Sequence, residues 1–287
     1  MTPPSNPSVA NDQSVDALIK TIRIPPRPSM LIDVQTELAC KEPDPRRLAA
    51  TIANDVALAA SLLKLTNSPF FGLRLKASSV EHAVHLLGMR QCGLLMTGII
   101  ARQSVQVSKV SLVKFWDFSS KRAQAMAHLA THMRVCSTDM AHTFGLFCDI
   151  GIPLLLEKFA GYQKTLDLAH QEFENNFTLI EEQRHSTSHT SIGALMARTW
   201  GLPEEVSTAI LLHHDYDILS DGATSETVRS LIALALVAEY SIHKYHGEET
   251  LAEWDKGGQS ACDFLGLGND ELEDRFEELH DVFNHAH

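Results

Sequence analysis

The 287-residue chain lacks the local signatures of several common chemistries. It has no Gly-x4-Gly-Lys-Ser/Thr loop and no GxGxxG after a strand, so the usual phosphate cradles of nucleotide-binding α/β folds are missing. GxSxG and HExxH are missing too, which sets aside the serine-hydrolase elbow and the zinc metalloprotease helix. Cysteine is sparse: Cys40, Cys92, Cys136, Cys148 and Cys262 are odd in number, far apart and never in a Cys-x-x-Cys pair. That usage argues against a disulfide scaffold or a cysteine-ligated zinc and fits a reducing cytoplasm. No run approaches the roughly 18 consecutive apolar residues of a membrane span. No basic start precedes an apolar segment as in a secretory signal. Positive charge is also short, with 24 Lys and Arg against 36 Asp and Glu, a net of −12. Such a chain repels nucleic acid and anionic membranes at long range, so neither is expected as a direct partner.

What is present is an ordinary globular composition, 44% apolar and 21% charged, with length for one large domain or two small ones. The acidic surplus is local. Residues 226–287 hold 14 acids and 4 bases, a net of −10, which leaves −2 for all that precedes. The plain reading of that region is a solvated helical face; the sharper one is a docking surface for a basic partner. Fifteen histidines invite a search for a metal site.

Periodicity and punctuation are helical almost throughout. Residues 1–13 read as a loose tail. A short helix follows Ser14 with Val15, Leu18, Ile19 and Ile22 on one face, and Pro25, Pro26 and Pro28 end it in a linker. Leu31, Val34 and Leu38 form a stripe closed by Glu42-Pro43. Asp44-Pro45 and Asp55 open the next two helices, and Asn67-Ser68-Pro69 with Phe70-Phe71-Gly72 turns the chain. Ser78 with Glu81, and Thr178 with Glu181, have capping-box spacing. Longer helices are predicted over 94–105, 112–134 and from Asp139 to a pause near Gly151 and Pro153. Ser188 caps a helix ending at Gly201, Pro203 starts the one carrying His213-His214, Ser225 caps another to about Tyr245, and Asn269 or Asp270 opens the last. Strand alternation and hairpin turns are nearly absent. The expectation is an all-α protein of about a dozen helices.

Chemistry then rests on Asp149, His185, His189 and the His213-His214 pair. Histidines and a carboxylate from several helices can hold a divalent ion. His185 and His189 share a face if one helix holds both; with Ser188 as cap, His185 falls in a loop. Adjacent His213 and His214 would point about 100° apart on a helix, so only one is expected to face a given site. His82, His85, His128, His132 and His142 lack converging partners and read as surface or satisfied core residues. His243, His246, His280, His285 and His287 read as solvated.

The order of these motifs resembles the HDOD (HD-related output) domain of bacterial signalling proteins. The resemblance lies in Asp55 to Asn67-Ser68, Phe71-Gly72, Ser79-Val80-Glu81, Leu87-Gly88, Phe115-Trp116, Gly145 to Cys148-Asp149-Ile-Gly151, Glu181, His189, Ile192-Gly193-Ala194, Trp200-Gly201-Leu202-Pro203 and His213-His214. It implies an all-helical HD-domain/phosphodiesterase-like bundle with an additional N-terminal helical half. The expected organisation is a tail and short helix over 1–23, the domain over 24–215 with halves 24–110 and 111–215, and acidic C-terminal helices over 216–287 packing on it. In catalytic HD proteins, histidines and a His-Asp doublet hold a metal that activates water against a phosphate ester. Here the doublet reads Cys148-Asp149, and Phe118 takes the place of the first histidine. Cys148 lies in an apolar run that favours the neutral thiol. The resemblance therefore implies a regulatory protein without catalysis, acting in the cytoplasm through a signalling protein partner or a nucleotide or other small-molecule ligand. With no room for a separate sensor in this length, input would come from another chain or a ligand. Asp149, His189, His213, His214 and Glu181 would line the vestigial pocket, with no resident cofactor. The alternative is a metal-dependent phosphohydrolase of nucleotide or cyclic nucleotide esters, with iron, manganese or zinc at Asp149, His189 and His213. Asp149 has a plainer role open to it as well, bonding His189 or backbone N–H groups to fasten helices together.

Overall fold

The computed structural model describes residues 21–68, 71, 73, 75–108, 110–248 and 251–284. All regular structure among the described residues is helical. The front half comprises α1 (Ser29–Ala39), α2 (Pro45–Ala53), α3 (Val56–Thr66), α4 (Val80–Leu87) and α5 (Met89–Ser104). Their starts follow local chemistry. Asp44 accepts the Arg46 N–H ahead of Pro45, and Asp55 accepts those of Ala57 and Leu58. The cap of α4 is Ser79, which accepts the His82 N–H, and not the expected Ser78. Asn67 does more than end α3: its amide bonds both the N–H and the carbonyl of Ala77 and so clasps the loop between them. The helix expected after Ser14, with Val15, Leu18 and Ile19, lies outside the described residues, as do Pro69, Phe70, Gly72, His285 and His287.

The second half is built on α6 (Val113–Met133) and α7 (Thr138–Phe147), which lie along one another. A turn over Cys148–Ile150 leads into α8 (Gly151–Lys158), followed by α9 (Tyr162–Ala169), α10 (Phe177–His185), α11 (His189–Thr199) and α12 (Glu204–Leu212). Helix α5 packs on α7 and joins the two halves. The stretch Thr138–Lys158 has the length and mean hydropathy (1.3) of a membrane span, but 67% of its most apolar window is buried in the protein. Phe144, Phe147 and Leu155 there are core residues. The proline linker is fixed rather than free. The Trp200 indole N–H donates to the Pro25 carbonyl at 2.9 Å, and the Arg27 side chain lies over Gly201.

After a short turn of 3-10 helix (Tyr216–Leu219) come α13 (Glu226–Tyr245), α14 (Ala252–Leu265) and α15 (Asn269–Asn284). Helix α13 runs against α6, α7 and α12 and buries Leu231, Ile232, Leu234, Leu236, Val237 and Ile242. Each such side chain contributes about 1.5–3 kcal/mol on burial. The acidic C-terminal fifth thus begins inside the core and only later becomes a solvated face. Helix α14 has no clear signal in the sequence, because it contains Gly257-Gly258. The rings of Tyr216 and Trp254 occupy the space that side chains would fill at those two positions. Helix α15 is amphipathic as expected, with Phe276, Leu279 and Phe283 buried and Leu272 partly so.

Candidate functional site

The site forms where the turn after α7, the start of α11 and the end of α12 come together. Asp149 sits in the turn after α7, on the wall of an open cleft of about 590 Å³. Gly151 allows this turn to reach α11: a Cβ there would overlap the carbonyl oxygen of His189. Ser188 caps α11 and so places His189 at its first position. His213 and His214 lie just beyond the last residue of α12, where the backbone leaves the helix.

That position past the helix end overturns the expectation that only one of the pair faces the site. Asp149, His189, His213 and His214 each offer a ligand atom, and these atoms all lie within 4.8 Å of one another. His189 Nε2 is 3.3 Å from the Nε2 of both His213 and His214. Asp149 Oδ1 is 3.5 Å from His189 Nε2 and 3.4 Å from His213 Nε2. The far side of each ring is tied down. His189 Nδ1–H donates to Glu181 at 2.8 Å, His213 Nδ1–H to the Ile210 carbonyl at 2.8 Å and His214 Nδ1–H to Glu253 at 2.6 Å. Anchoring Nδ1 aims each Nε2 inward and fixes the tautomer, the outer-shell arrangement of histidine-ligated metals. Three imidazoles and a carboxylate are borderline donors that suit zinc, iron or manganese. The residues fit a divalent cation.

Glu181 does not serve the expected capping box with Thr178. Asn176 caps α10, while Glu181 is fully buried between His189 and the Tyr162 hydroxyl, which donates to it. Burial opposes its charge, but His189 holds its pKa below the ordinary value. Burial likewise opposes a charged His189, yet Glu181 and Asp149 hold its pKa up to about 10. His214 is pushed down to about 4, by burial first and by neighbouring His213 second. His185 ends α10, on a different helix from His189, and bonds Thr165 at 2.9 Å away from the cluster.

The other face of Asp149 holds a cation belonging to the protein. Arg122, 1% exposed on α6, donates from Nη1 to Asp149 Oδ2 at 2.6 Å and to Glu239 Oε1 at 2.6 Å. Its Nε donates to the Gly145 carbonyl at 2.9 Å. Burial alone would raise the Asp149 pKa, but the guanidinium holds it well below the carboxylate range. Glu239 is pushed up by burial, against the pull of Arg122. One fixed positive charge is thus shared between two carboxylates, each 2.6 Å from the same nitrogen. Phe118 lies one turn before Arg122, its ring 5.6 Å from the guanidinium carbon and 5.5 Å from the His243 ring. Cys148 is fully buried, and burial pushes its thiol well up. Neither Phe118 nor Cys148 belongs to the cluster of candidate ligands.

The sequence reading missed Arg122, Glu239 and Glu253. Arg122 and Glu239 are 117 residues apart, and no local pattern joins them. His128 and His132, expected to lack converging partners, group with Glu278 of α15.

The HDOD domain model matches residues 24–216. Over 232 residues the chain is 25% identical to an uncharacterized protein of Treponema pallidum (strain Nichols), which covers 78% of this chain and 43% of that one. The chain therefore spans less than half the length of that relative. Three crystal structures share the fold. A candidate signal transduction protein from Marinobacter aquaeolei VT8 superposes with a TM-score of 0.73 at 20% identity, over 98% of this chain and 65% of that one. A candidate phosphohydrolase from Shewanella amazonensis SB2B gives 0.71 at 18% identity, over 96% of each chain. An HDOD domain protein with unknown function from Geobacter sulfurreducens gives 0.70 at 17%, over 98% of this chain and 99% of that one. With the family model covering most of its length and the helices arranged as in these structures, the chain belongs to the HDOD family.

Proposed function

We propose that this is a bacterial regulatory HDOD protein of the cytoplasm, in which a single divalent cation at Asp149, His189, His213 and His214 shapes a ligand- or partner-responsive cleft without hydrolysing a phosphoester. The observation that carries this reading is the division of labour at Asp149. One oxygen faces the imidazoles, and the other is bonded to Arg122, which also bonds Glu239. A two-metal hydrolase needs a second ion about 3.5–4 Å from the first. On that side of Asp149 stands a guanidinium, which carries charge but cannot activate water. Phe118 and Cys148 supply no replacement ligand. Four protein donors also complete the usual shell of a tetrahedral ion and leave no open position for chemistry. The ion would supply a fixed positive charge that fastens α7, α11 and the end of α12 together. Family membership and the fold shared with the signal transduction candidate support the signalling context.

The second reading is a metal-dependent phosphohydrolase, favoured by the cleft beside the donor set and by the capacity of iron or manganese to bind more than four ligands. Metal-loaded protein, assayed on generic phosphodiesters and on nucleotide and cyclic nucleotide esters with added Mn²⁺, separates the two. The regulatory reading predicts no turnover above a His189→Ala control. Turnover that vanishes in that control establishes the enzyme instead.

A further inference from the structure

On the opposite end of α6 from Phe118, two histidines stand one helical turn apart. His128 and His132 are i and i+4, their rings 4.1 Å apart between centroids. His132 Nδ1–H donates to the His128 carbonyl at 2.8 Å, which leaves its Nε2 with a free lone pair. His128 Nε2 lies 3.2 Å from a carboxylate oxygen of Glu278, on α15. One donor atom from each of the three lies within 4.8 Å of the other two, and the side chains are half-buried or exposed, so small rotations can draw them together. Arg275 also bonds the Glu278 Oε2 atom, at 2.7 Å, which leaves the second carboxylate oxygen available.

We propose that His128, His132 and Glu278 form a second, peripheral transition-metal site that clamps the acidic C-terminal helix onto α6. Two imidazoles and one carboxylate are the donor set for zinc, nickel or copper, whereas calcium and magnesium prefer all-oxygen shells. A His-x3-His pair on a helix presents both rings on one face at a spacing a single ion can bridge. Helix α15 as a whole is acidic, with seven acidic residues against the single base Arg275, although that base stands at the site, bonded to Glu278. The arrangement also gives the site a structural consequence. His128 and His132 lie within the family domain, and Glu278 lies beyond residue 216, where the family match ends. An ion held by all three makes the docking of the C-terminal helix depend on metal supply. The site does not rest on the central cluster, from which it shares no residue.

Full-length protein, stripped of metal with chelator and titrated with ZnCl₂, tests it by equilibrium dialysis and hydrogen exchange. Wild type is expected to take up one more equivalent of zinc than either His132→Ala or Glu278→Gln, and zinc is expected to slow amide exchange over 269–284 in wild type alone. His132 is exposed, so its replacement leaves the core intact. Equal uptake by wild type and both variants overturns the site, and lost uptake with unchanged exchange in α15 overturns the clamp. An empty central cluster lowers all three counts together and leaves the difference between them as the readout.

Discussion

Arg122 Nη1 is 2.6 Å from Asp149 Oδ2, across the packed faces of α6 and the turn after α7. The same nitrogen is 2.6 Å from Glu239 on α13. One buried guanidinium therefore holds three segments that are remote in sequence, and it decides how Asp149 meets the histidines.

Replacing Arg122 with methionine strips Glu239 of its buried cation and leaves Asp149 with the imidazoles of His189 and His213 alone. Breaking a buried pair by removing one partner costs about 3–5 kcal/mol. Arg122→Met is expected to lose stability of that order in urea denaturation, and Arg122→Met/Glu239→Gln to lose less than the sum of the single changes. Additive effects would mean that the two groups do not interact.

Gly151 is fixed by the approach of α11. Gly151→Ala places a methyl against the His189 carbonyl, and overpacking of this kind costs about 1–3 kcal/mol. The variant is expected to melt lower and to bind metal more weakly, because the turn that carries Asp149 must move. Wild-type melting and metal affinity together would show that the turn is not held in place.

Glu181 positions His189 without touching the candidate ion. Loss of such an outer-shell partner lowers metal affinity about 10–100-fold. Glu181→Gln is therefore expected to keep the fold by circular dichroism while its zinc affinity falls within that range. Unchanged affinity would remove Glu181 from the site.

His142, on α7, is held neutral in the fold: burial lowers its pKa to about 4, against the pull of Asp139. Between about pH 6.5 and pH 4 the unfolded chain binds more protons at this position than the folded one, so stability falls as the pH drops through that window. The full effect is on the order of 3 kcal/mol. His142→Leu is expected to flatten the stability profile over that range, as measured by urea midpoints at successive pH values. A profile as steep as wild type would assign the acid sensitivity elsewhere.

Legibility in the sequence followed locality. Helices that start on Asp44-Pro45, Asp55, Ser188 and Ser225 were readable because the cap and the first turn are neighbours in the chain. Helix α14 was hidden because Gly257-Gly258 reads as a break, and only the Tyr216 and Trp254 rings explain it. Asp149, His189, His213 and His214 were visible as a set through their order, but their number of usable imidazoles was undercounted. A periodic helix separates adjacent side chains, whereas this pair lies past the end of α12. Arg122 and Glu239 carried no signal, since an arginine in a long helix and a glutamate in an acidic tail are ordinary until packing brings them together.

Metal content tests the central claim most directly. Protein purified without chelator, passed through gel filtration and measured by elemental analysis, is expected to carry one equivalent more iron, manganese or zinc than a His189→Ala variant prepared in parallel. The same amount of metal in both proteins would contradict the account.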